Sequence, residues 1–138
     1  MAIEVRGVTP LVQVYDMPAS VQFYRDALGF EIVSTSPVLG KDRFHWALLR
    51  LGKAELMLNT AYESDDERPV PADRARVAAH DDMTLYFGCP DVDSAYEELR
   101  DKGIAVQPPK VVRYGMRQMS LRDPDGYGLC FQWPSEEE

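Results

Sequence analysis

Two neighbouring stretches late in the chain carry the hydrophobic and polar pattern of a β-hairpin. Met116–Leu121 alternates apolar and polar positions with the period of two that is typical of a half-buried strand. Asp123–Gly126 then predicts a turn, because Pro presets φ for one corner and Gly accepts positive φ. The returning strand is predicted to place Leu129, Phe131 and Trp133 on one face and Gly128, Cys130 and Gln132 on the other.

The first half of the chain predicts a strand, a helix and three more strands. Asp16 and Pro18 are typical of a helix start, and Gly29 lies where a helix commonly ends. A strand precedes this helix at Val8–Val14, with Val8, Pro10, Val12 and Val14 on one face and Thr9, Leu11 and Gln13 on the other. The strands that follow it are predicted at Phe30–Ser34, Arg43–Arg50 and Ala54–Asn59.

The second half repeats this order. Met83–Cys89 predicts a strand, and Asp91 begins a helix that Gly103 ends. Ile104–Val106 predicts the start of the next strand, and the hairpin completes the set. Both halves therefore have the order βαβββ, which indicates an internal duplication.

The segment between the halves has a different composition. Residues 60–81 are rich in charge and Pro and have no sustained period, apart from a helical turn or two around Asp73–Ala79. We interpret them as a partly mobile linker between a first module at about 5–59 and a second at about 82–134. At 138 residues the chain has room for a single domain.

Charge and cysteine content restrict the partners and the compartment. The chain has 15 Lys and Arg against 23 Asp and Glu, a net charge of −8, and no basic stripe, so we expect neither nucleic acid nor anionic membrane as a partner. No apolar run approaches the roughly 18 residues needed to span a bilayer, and the first residues lack the pattern of a signal peptide. Cys89 and Cys130 have no metal-site spacing, which predicts two free thiols in a reducing cytoplasm.

The closing hairpin with its Asp-Pro-Asp-Gly turn, together with the duplicated βαβββ unit, resembles the vicinal oxygen chelate superfamily. That superfamily includes glyoxalase I, extradiol dioxygenases, fosfomycin-modifying enzymes and bleomycin-resistance proteins. The resemblance extends over about residues 5–134. It implies an α+β fold in which two βαβββ modules form a curled mixed sheet around a cup.

The resemblance also implies where a metal ion would bind. Metal-dependent members hold one divalent ion with four inward-facing side chains, usually His, Glu or Gln. Counting from the two helix starts and the last turn places these four positions at Thr9, Glu55, Thr84 and Cys130. Because only Glu55 is a common ligand type, we expect no cofactor; the alternative is one divalent metal held by Glu55 and by ligands elsewhere.

Other reactive residue types offer little support for catalysis. His45 lies between Phe44 and Trp46 in a predicted strand, which favours a core or pocket role, and His80 is predicted to be solvated. Cys130 is flanked by apolar residues and is predicted to be inert rather than nucleophilic. Arg117 either faces the cup, where it would meet an anionic group, or points outward.

The resemblance is greatest to the metal-free bleomycin-resistance branch, whose members are small, acidic and dimeric. It implies a non-catalytic homodimer that binds or sequesters a cationic or aromatic small molecule, with Trp46, Tyr86 and Phe87 near the cup. The alternative is a metal-dependent lyase or dioxygenase that uses Glu55, and a purely structural role is third. The candidate ligand-binding residues are Thr9, His45, Trp46, Glu55, Met57, Thr84, Tyr86, Arg117 and Cys130.

Overall fold

The chain divides into two compact units, each built on one four-stranded mixed sheet. The structure is a computed structural model that describes residues 3–62, 67 and 73–136. Unit 1 comprises Met1–Arg68 and unit 2 comprises Pro69–Glu138.

Unit 1 has the predicted order of one strand, one helix and three strands. Its strands are β1 (Leu11–Val14), β2 (Glu31–Thr35), β3 (Trp46–Leu51) and β4 (Ala54–Thr60), and its helix α1 (Met17–Val21) continues as a π-helical segment, Gln22–Ala27. The strand order in the sheet is β1-β4-β3-β2. Only the β1–β4 pair is parallel.

The first helix begins and ends where the sequence predicts. Asp16 accepts a hydrogen bond from the backbone N–H of Ala19, which satisfies one of the free donors at the helix start. The chain leaves the helix at Gly29, whose φ of +90° is accessible to glycine at no steric cost.

One face of the unit 1 sheet forms the core with this helix. The side chains on that face are Val12, Val14, Ala47, Leu49, Leu56 and Leu58, all at most 1% exposed. Met17, Val21 and Tyr24 of the helical segment are buried as well, and α1 packs on β4. The alternation in β1, β3 and β4 therefore leaves the opposite face of the sheet available for other roles.

Unit 2 repeats the arrangement, which confirms the predicted duplication and the α+β class. Its sheet has the order β5-β8-β7-β6, again with the first and last strands parallel and the other pairs antiparallel. Its elements are α2 (Arg74–Ala79) with a 3₁₀ turn at His80–Asp82, β5 (Thr84–Gly88), α3 (Val92–Asp101), β6 (Lys110–Val111), β7 (Met116–Arg122) and β8 (Gly128–Pro134).

The first strand is shorter than predicted. We expected it to begin at Val8, but that side chain is 90% exposed and β1 begins at Leu11. Pro10 explains the difference, because its nitrogen carries no hydrogen and cannot donate to the sheet. Its carbonyl oxygen still accepts from the N–H of Met57 at 2.9 Å.

The predicted strand at Arg43–Arg50 also begins later, at Trp46. The Ser36 hydroxyl accepts hydrogen bonds from the N–H groups of His45 and Trp46, so these donors are satisfied outside the sheet ladder. Just before them, Asp42 has a φ of +55° in a tight turn. Its carboxylate accepts two hydrogen bonds from Arg25, at 2.8 and 3.0 Å, which fixes the turn to the helical segment.

The prediction of a strand at Ile104–Val106 is wrong. The N–H of Ile104 donates instead to Leu99 at the end of α3, and the chain runs without regular structure until β6. Pro108 and Pro109 intervene, and because neither has an N–H group the second strand of unit 2 shrinks to the two residues after them.

Part of the predicted linker is a structured portion of unit 2. The helical turns expected around Asp73–Ala79 are present as α2, and the 3₁₀ turn follows directly. His80, predicted to be solvated, is instead stacked on the Tyr127 ring with centroids 4.0 Å apart. The partial mobility predicted for residues 60–81 stays a prediction, and residues 63–66 and 68–72 of this segment lie outside the described residues.

Two further predictions can be compared with the described chain. Neither Cys89 nor Cys130 forms a disulfide, as expected. Across residues 3–62, 67 and 73–136, no helix has the length and apolar character that a membrane span requires.

Candidate functional site

A pocket of about 260 Å³ lies on the unit 2 sheet. We call it the unit 2 pocket. Strand register builds it from aligned rows of side chains: Thr84, Gly128 and Arg122 form one row, and Tyr86, Cys130 and Ser120 form the next. The full lining is Thr84, Tyr86, Gln118, Ser120, Leu121, Arg122, Gly128, Leu129 and Cys130.

The absence of a side chain at Gly128 leaves space for the Thr84 hydroxyl in the first of these rows. A Cβ atom at this position would lie 2.7 Å from Oγ1 of Thr84, closer than side-chain carbons approach neighbouring atoms. The strand therefore passes directly beside the Thr84 hydroxyl. The result is a floor without a side chain between Thr84 on β5 and Arg122 on β7.

Cys130 occupies the centre of the pocket as a buried thiol, 3% exposed. Burial raises the pKa of this thiol above its ordinary value, and a hydrogen bond with Ser120 offsets only part of that increase. A raised pKa reduces the thiolate fraction at neutral pH, so Cys130 contributes polarity and volume rather than a nucleophile.

The edges of the pocket carry larger groups. Tyr86 is 60% exposed and presents its ring on β5. Arg122 donates to the carbonyl oxygen of Gly126 at 2.8 Å and forms an ion pair with Asp81. Gln118 donates to the side-chain oxygen of Gln132 at 2.8 Å.

The turn beneath the pocket is fixed by buried polar groups. The Asp123 carboxylate accepts from the N–H groups of Asp125 and Tyr127, each at 2.9 Å. Asp125 is paired with Arg76 of α2 at 2.9 Å, and Nδ1 of His80 lies 2.6 Å from the Asp125 carbonyl oxygen. These contacts fix the start of β8 and therefore the positions of Gly128 and Cys130.

Unit 1 has a pocket of its own, of about 280 Å³, lined by His45, Asn59, Thr60, Ala61 and Tyr62. Nδ1 of His45 lies 3.4 Å from the Thr60 hydroxyl. Tyr62 packs edge-on against Tyr15, with centroids 6.2 Å apart. His45 is thus a pocket residue, one of the two roles favoured for it.

The strand register changes which residue of β4 is equivalent to Cys130 of β8. Counting along the sequence placed Glu55 at that position. In unit 2, Cys130 pairs with Tyr86, two residues after Thr84. In unit 1, the residue two positions after Thr9 is Leu11, and Leu11 pairs with Met57. The unit 1 counterpart of Cys130 is therefore Met57, and Glu55 corresponds to Gly128.

The remaining unit 1 candidates lie on or beside the face of the sheet opposite the core. Trp46, Glu55 and Met57 share this face, since each alternates with buried neighbours in its strand. The carboxylate of Glu55 lies 3.7 Å from the Arg50 guanidinium. Thr9 precedes β1 and is partly buried.

Arg117 lies on the other face of the unit 2 sheet from Tyr86 and Cys130. Its guanidinium donates to both carboxylate oxygens of Asp93 in α3, at 3.0 and 2.7 Å. This contact lowers the pKa of Asp93. Of the two orientations considered for Arg117, the structure shows the one directed away from the unit 2 pocket.

Comparison with known proteins identifies the family. The model of the Glyoxalase/Bleomycin resistance protein/Dioxygenase superfamily matches residues 8–131, most of the chain. The chain belongs to this superfamily. A search of curated proteins found no match.

Several solved structures share this fold at low sequence identity. The antibiotic-binding protein TnmS3 from a Streptomyces species is 24% identical, with a TM-score of 0.68 over 97% of this chain and 100% of that one. A bleomycin resistance determinant encoded on transposon Tn5 is 20% identical, with a TM-score of 0.67 over 96% and 99%. The bleomycin-binding protein of bleomycin-producing Streptomyces verticillus, complexed with copper(II)-bleomycin, is 22% identical, with a TM-score of 0.64 over 99% and 100%.

The side chains at the metal positions implied by the superfamily do not fit a divalent ion. With the register applied, each unit offers one threonine hydroxyl and one sulfur group: Thr9 with Met57, and Thr84 with Cys130. Hydroxyls, a thioether and a thiol with a raised pKa are poor ligands for the ions that imidazole and carboxylate bind. Within the described part of the chain, no three His, Cys, Asp or Glu side chains are grouped so that they could hold a metal.

The sequence prediction missed six residues of the pocket lining: Gln118, Ser120, Leu121, Arg122, Gly128 and Leu129. Three of them, Gln118, Ser120 and Arg122, belong to β7 and share the face of Cys130. The signal was present in the predicted hairpin, because a turn at Asp123–Gly126 pairs Ser120 with Cys130 and Arg122 with Gly128.

Proposed function

We propose that this member of the superfamily is a non-catalytic binding protein for an aromatic small molecule. The observation that carries the proposal is the composition of the unit 2 pocket. It combines an exposed tyrosine ring with hydroxyl, thiol and amide groups, and its described lining has no imidazole or carboxylate to act as general base.

The size of the pocket suggests how much of a ligand it holds. Pockets for drug-sized molecules have volumes of about 300–1,000 Å³, and this one, at about 260 Å³, lies just below that range. It therefore suits one ring system of a ligand, stacked on Tyr86 and hydrogen-bonded at its edge to Thr84 or Ser120.

The structural relatives support small-molecule binding. One is described as an antibiotic-binding protein, and two others as a bleomycin resistance determinant and a bleomycin-binding protein. These descriptions belong to proteins less than 25% identical to this chain, so they support a class of function and leave the ligand open. The negative charge of the chain attracts cations at long range, which keeps a cationic aromatic compound among the candidates.

Binding of two naphthalene probes tests the proposal. 1-Naphthol is neutral and 1-naphthylmethylamine is cationic, and both present the same flat ring to Tyr86. We expect isothermal titration calorimetry to detect at least one of them, and Tyr86→Leu to weaken binding about tenfold, as the loss of an aromatic contact and its buried area implies. Tyr96→Leu, on α3 of the same unit, is the matched control and should bind as the unaltered protein does.

Metal content separates this proposal from the alternative of a metal-dependent lyase or dioxygenase that uses Glu55. We expect protein purified without chelator to contain well under one equivalent of Ni, Zn, Fe or Mn. Stoichiometric metal that disappears in Glu55→Gln would overturn the proposal in favour of the enzyme. If neither of these probes nor their carboxylate analogue 1-naphthoate binds, the aromatic ligand class is contradicted.

A further inference from the structure

We propose that the unit 2 pocket selects an aromatic carboxylic acid, with the ring on Tyr86 and the carboxylate on Arg122. The inference rests on the proposed function and specifies the ligand class for the same pocket. It differs from the cationic preference that the overall charge of −8 favours.

The charge of the pocket lining favours an anionic ligand. Of the nine described lining residues, Arg122 alone carries a formal charge, and none is acidic. A guanidinium matches the two oxygens of a carboxylate with parallel N–H groups, a geometry that a neutral or cationic ligand cannot use. Long-range repulsion by the acidic chain is screened beyond about 10 Å at 0.1 M salt, so the local group determines selectivity.

The positions of the two anchoring side chains, Tyr86 and Arg122, suit a ligand that has a ring and a carboxylate. Tyr86 and Arg122 belong to adjacent rows on β5 and β7, with β8 between them. Strand spacing places their Cα atoms about 12 Å apart. The residue between them in the Arg122 row is Gly128, which has no side chain, and the Thr84 hydroxyl lies beside it as a hydrogen-bonding group between the two anchors.

The present partner of Arg122 shows that its guanidinium can bind a carboxylate in this position. Asp81 already supplies a carboxylate to this guanidinium, in an ion pair whose two side chains are 51% and 69% exposed. Exposed pairs of this kind are weak and salt-sensitive, so an incoming carboxylate can replace Asp81 at little cost. The Gly126 carbonyl oxygen still accepts from Nη1 of Arg122 and fixes the side chain to the turn that starts β8.

A third probe, 1-naphthoate, tests the inference beside the neutral and cationic probes. We expect it to bind at least five times more tightly than 1-naphthol or 1-naphthylmethylamine. Arg122→Gln should weaken naphthoate about tenfold, the usual effect of losing hydrogen bonds to a charged group, and leave naphthol unchanged. Arg113→Gln makes the same change of charge at another exposed arginine of unit 2 and should have no effect.

Asp81→Asn distinguishes ligand recognition from a structural role of Arg122. Removal of the competing carboxylate should tighten naphthoate binding by about two- to fivefold, whereas loss of a structural ion pair would not improve it. If naphthoate binds no better than the other two probes, or if Asp81→Asn weakens it, the inference is overturned. The proposed function survives that result as long as one of the other probes binds through Tyr86.

Discussion

Arg76 and Asp125 form an ion pair between residues 49 positions apart, with Nη1 of Arg76 2.9 Å from Oδ1 of Asp125. The Asp125 side chain is 2% exposed and that of Arg76 is 19% exposed. Burial makes the carboxylate dependent on its partner, because water cannot replace the guanidinium. The pair joins α2 to the turn that starts β8.

Arg76→Met should reduce the free energy of unfolding by about 3 kcal/mol, because it leaves a buried carboxylate without its cation while keeping the apolar stem. Urea denaturation measures the effect. Arg74→Met, at an exposed position in the same helix, should change stability by less than about 0.5 kcal/mol. Equal effects of the two substitutions would show that the ion pair does not stabilise the turn.

Gly126→Ala should be more destabilising than Gly115→Ala. Both glycines have positive φ, +88° and +86°, so both variants pay the same backbone strain of about 1–2 kcal/mol. At Gly126 the new Cβ would also lie 2.5 Å from the Val77 carbonyl oxygen, whereas at Gly115 nothing lies within 4 Å. We expect thermal denaturation to show a difference of about 2 kcal/mol, and no difference would mean that α2 shifts freely away from the turn.

Asp42→Asn should lower stability at neutral pH by about 1 kcal/mol, because it removes the charge that pairs with Arg25 while Asn still accepts positive φ. The Arg25 guanidinium lowers the pKa of Asp42 in the folded protein. The stabilisation is therefore complete above the ordinary carboxyl pKa of about 3.9 and is lost as the pH falls through the lower, folded value.

Denaturation curves at pH 7 and at pH 2–3 test this dependence. The difference between Asp42→Asn and the unaltered protein should shrink at the acidic end. Asp26→Asn is the control, since Asp26 also contacts Arg25 but is 59% exposed, and it should cost less than about 0.5 kcal/mol. A difference that stays constant with pH would contradict the assigned pair.

Both cysteines should react slowly with iodoacetamide in the folded protein. Burial raises the pKa of each thiol, so the alkylation rate should still be rising with pH above about 8.5, the ordinary value. Cys130, at 3% exposure, should react more slowly than the partly exposed Cys89 and be protected further by 1-naphthol. Denatured, non-reduced protein should show two free thiols; none would contradict both the free cysteines and a reducing compartment.

We expect a homodimer, because each sheet is open and its outer strands, β1 and β2 or β5 and β6, have edges that a second chain could cover. Sedimentation at micromolar protein should give about twice the chain mass of 15.6 kDa. A mass near that of one chain would contradict the expectation.

Local signals in the sequence predicted most of the fold. Asp16 and Asp91 begin their helices as expected, and each side chain accepts from an N–H three residues on. The turn at Asp123–Gly126 also has the predicted position, and it determines which residues of β7 and β8 share a face. Such features depend on a few neighbouring residues, so one sequence is enough to find them.

Features that depend on distant partners were harder to predict. Glu55 and Met57 alternate on one strand face, and only their pairing with β1 shows which of them corresponds to Cys130. His80 has a polar environment in the sequence, next to Asp81, and its stacking on Tyr127 depends on a residue 47 positions later. The lining of the unit 2 pocket could be predicted only in part for the same reason.

The strand order of the two sheets has a consequence for folding. In each unit the last strand in the chain, β4 or β8, lies inside the sheet between the first strand and the third. The first strand therefore has no neighbour until the whole unit is present. The sheet is completed by contacts between residues far apart in the sequence, and such contacts form slowly during folding. Truncation before β8 would leave β5 without a partner and expose apolar surface such as Phe87, so such a fragment should aggregate rather than form a smaller sheet.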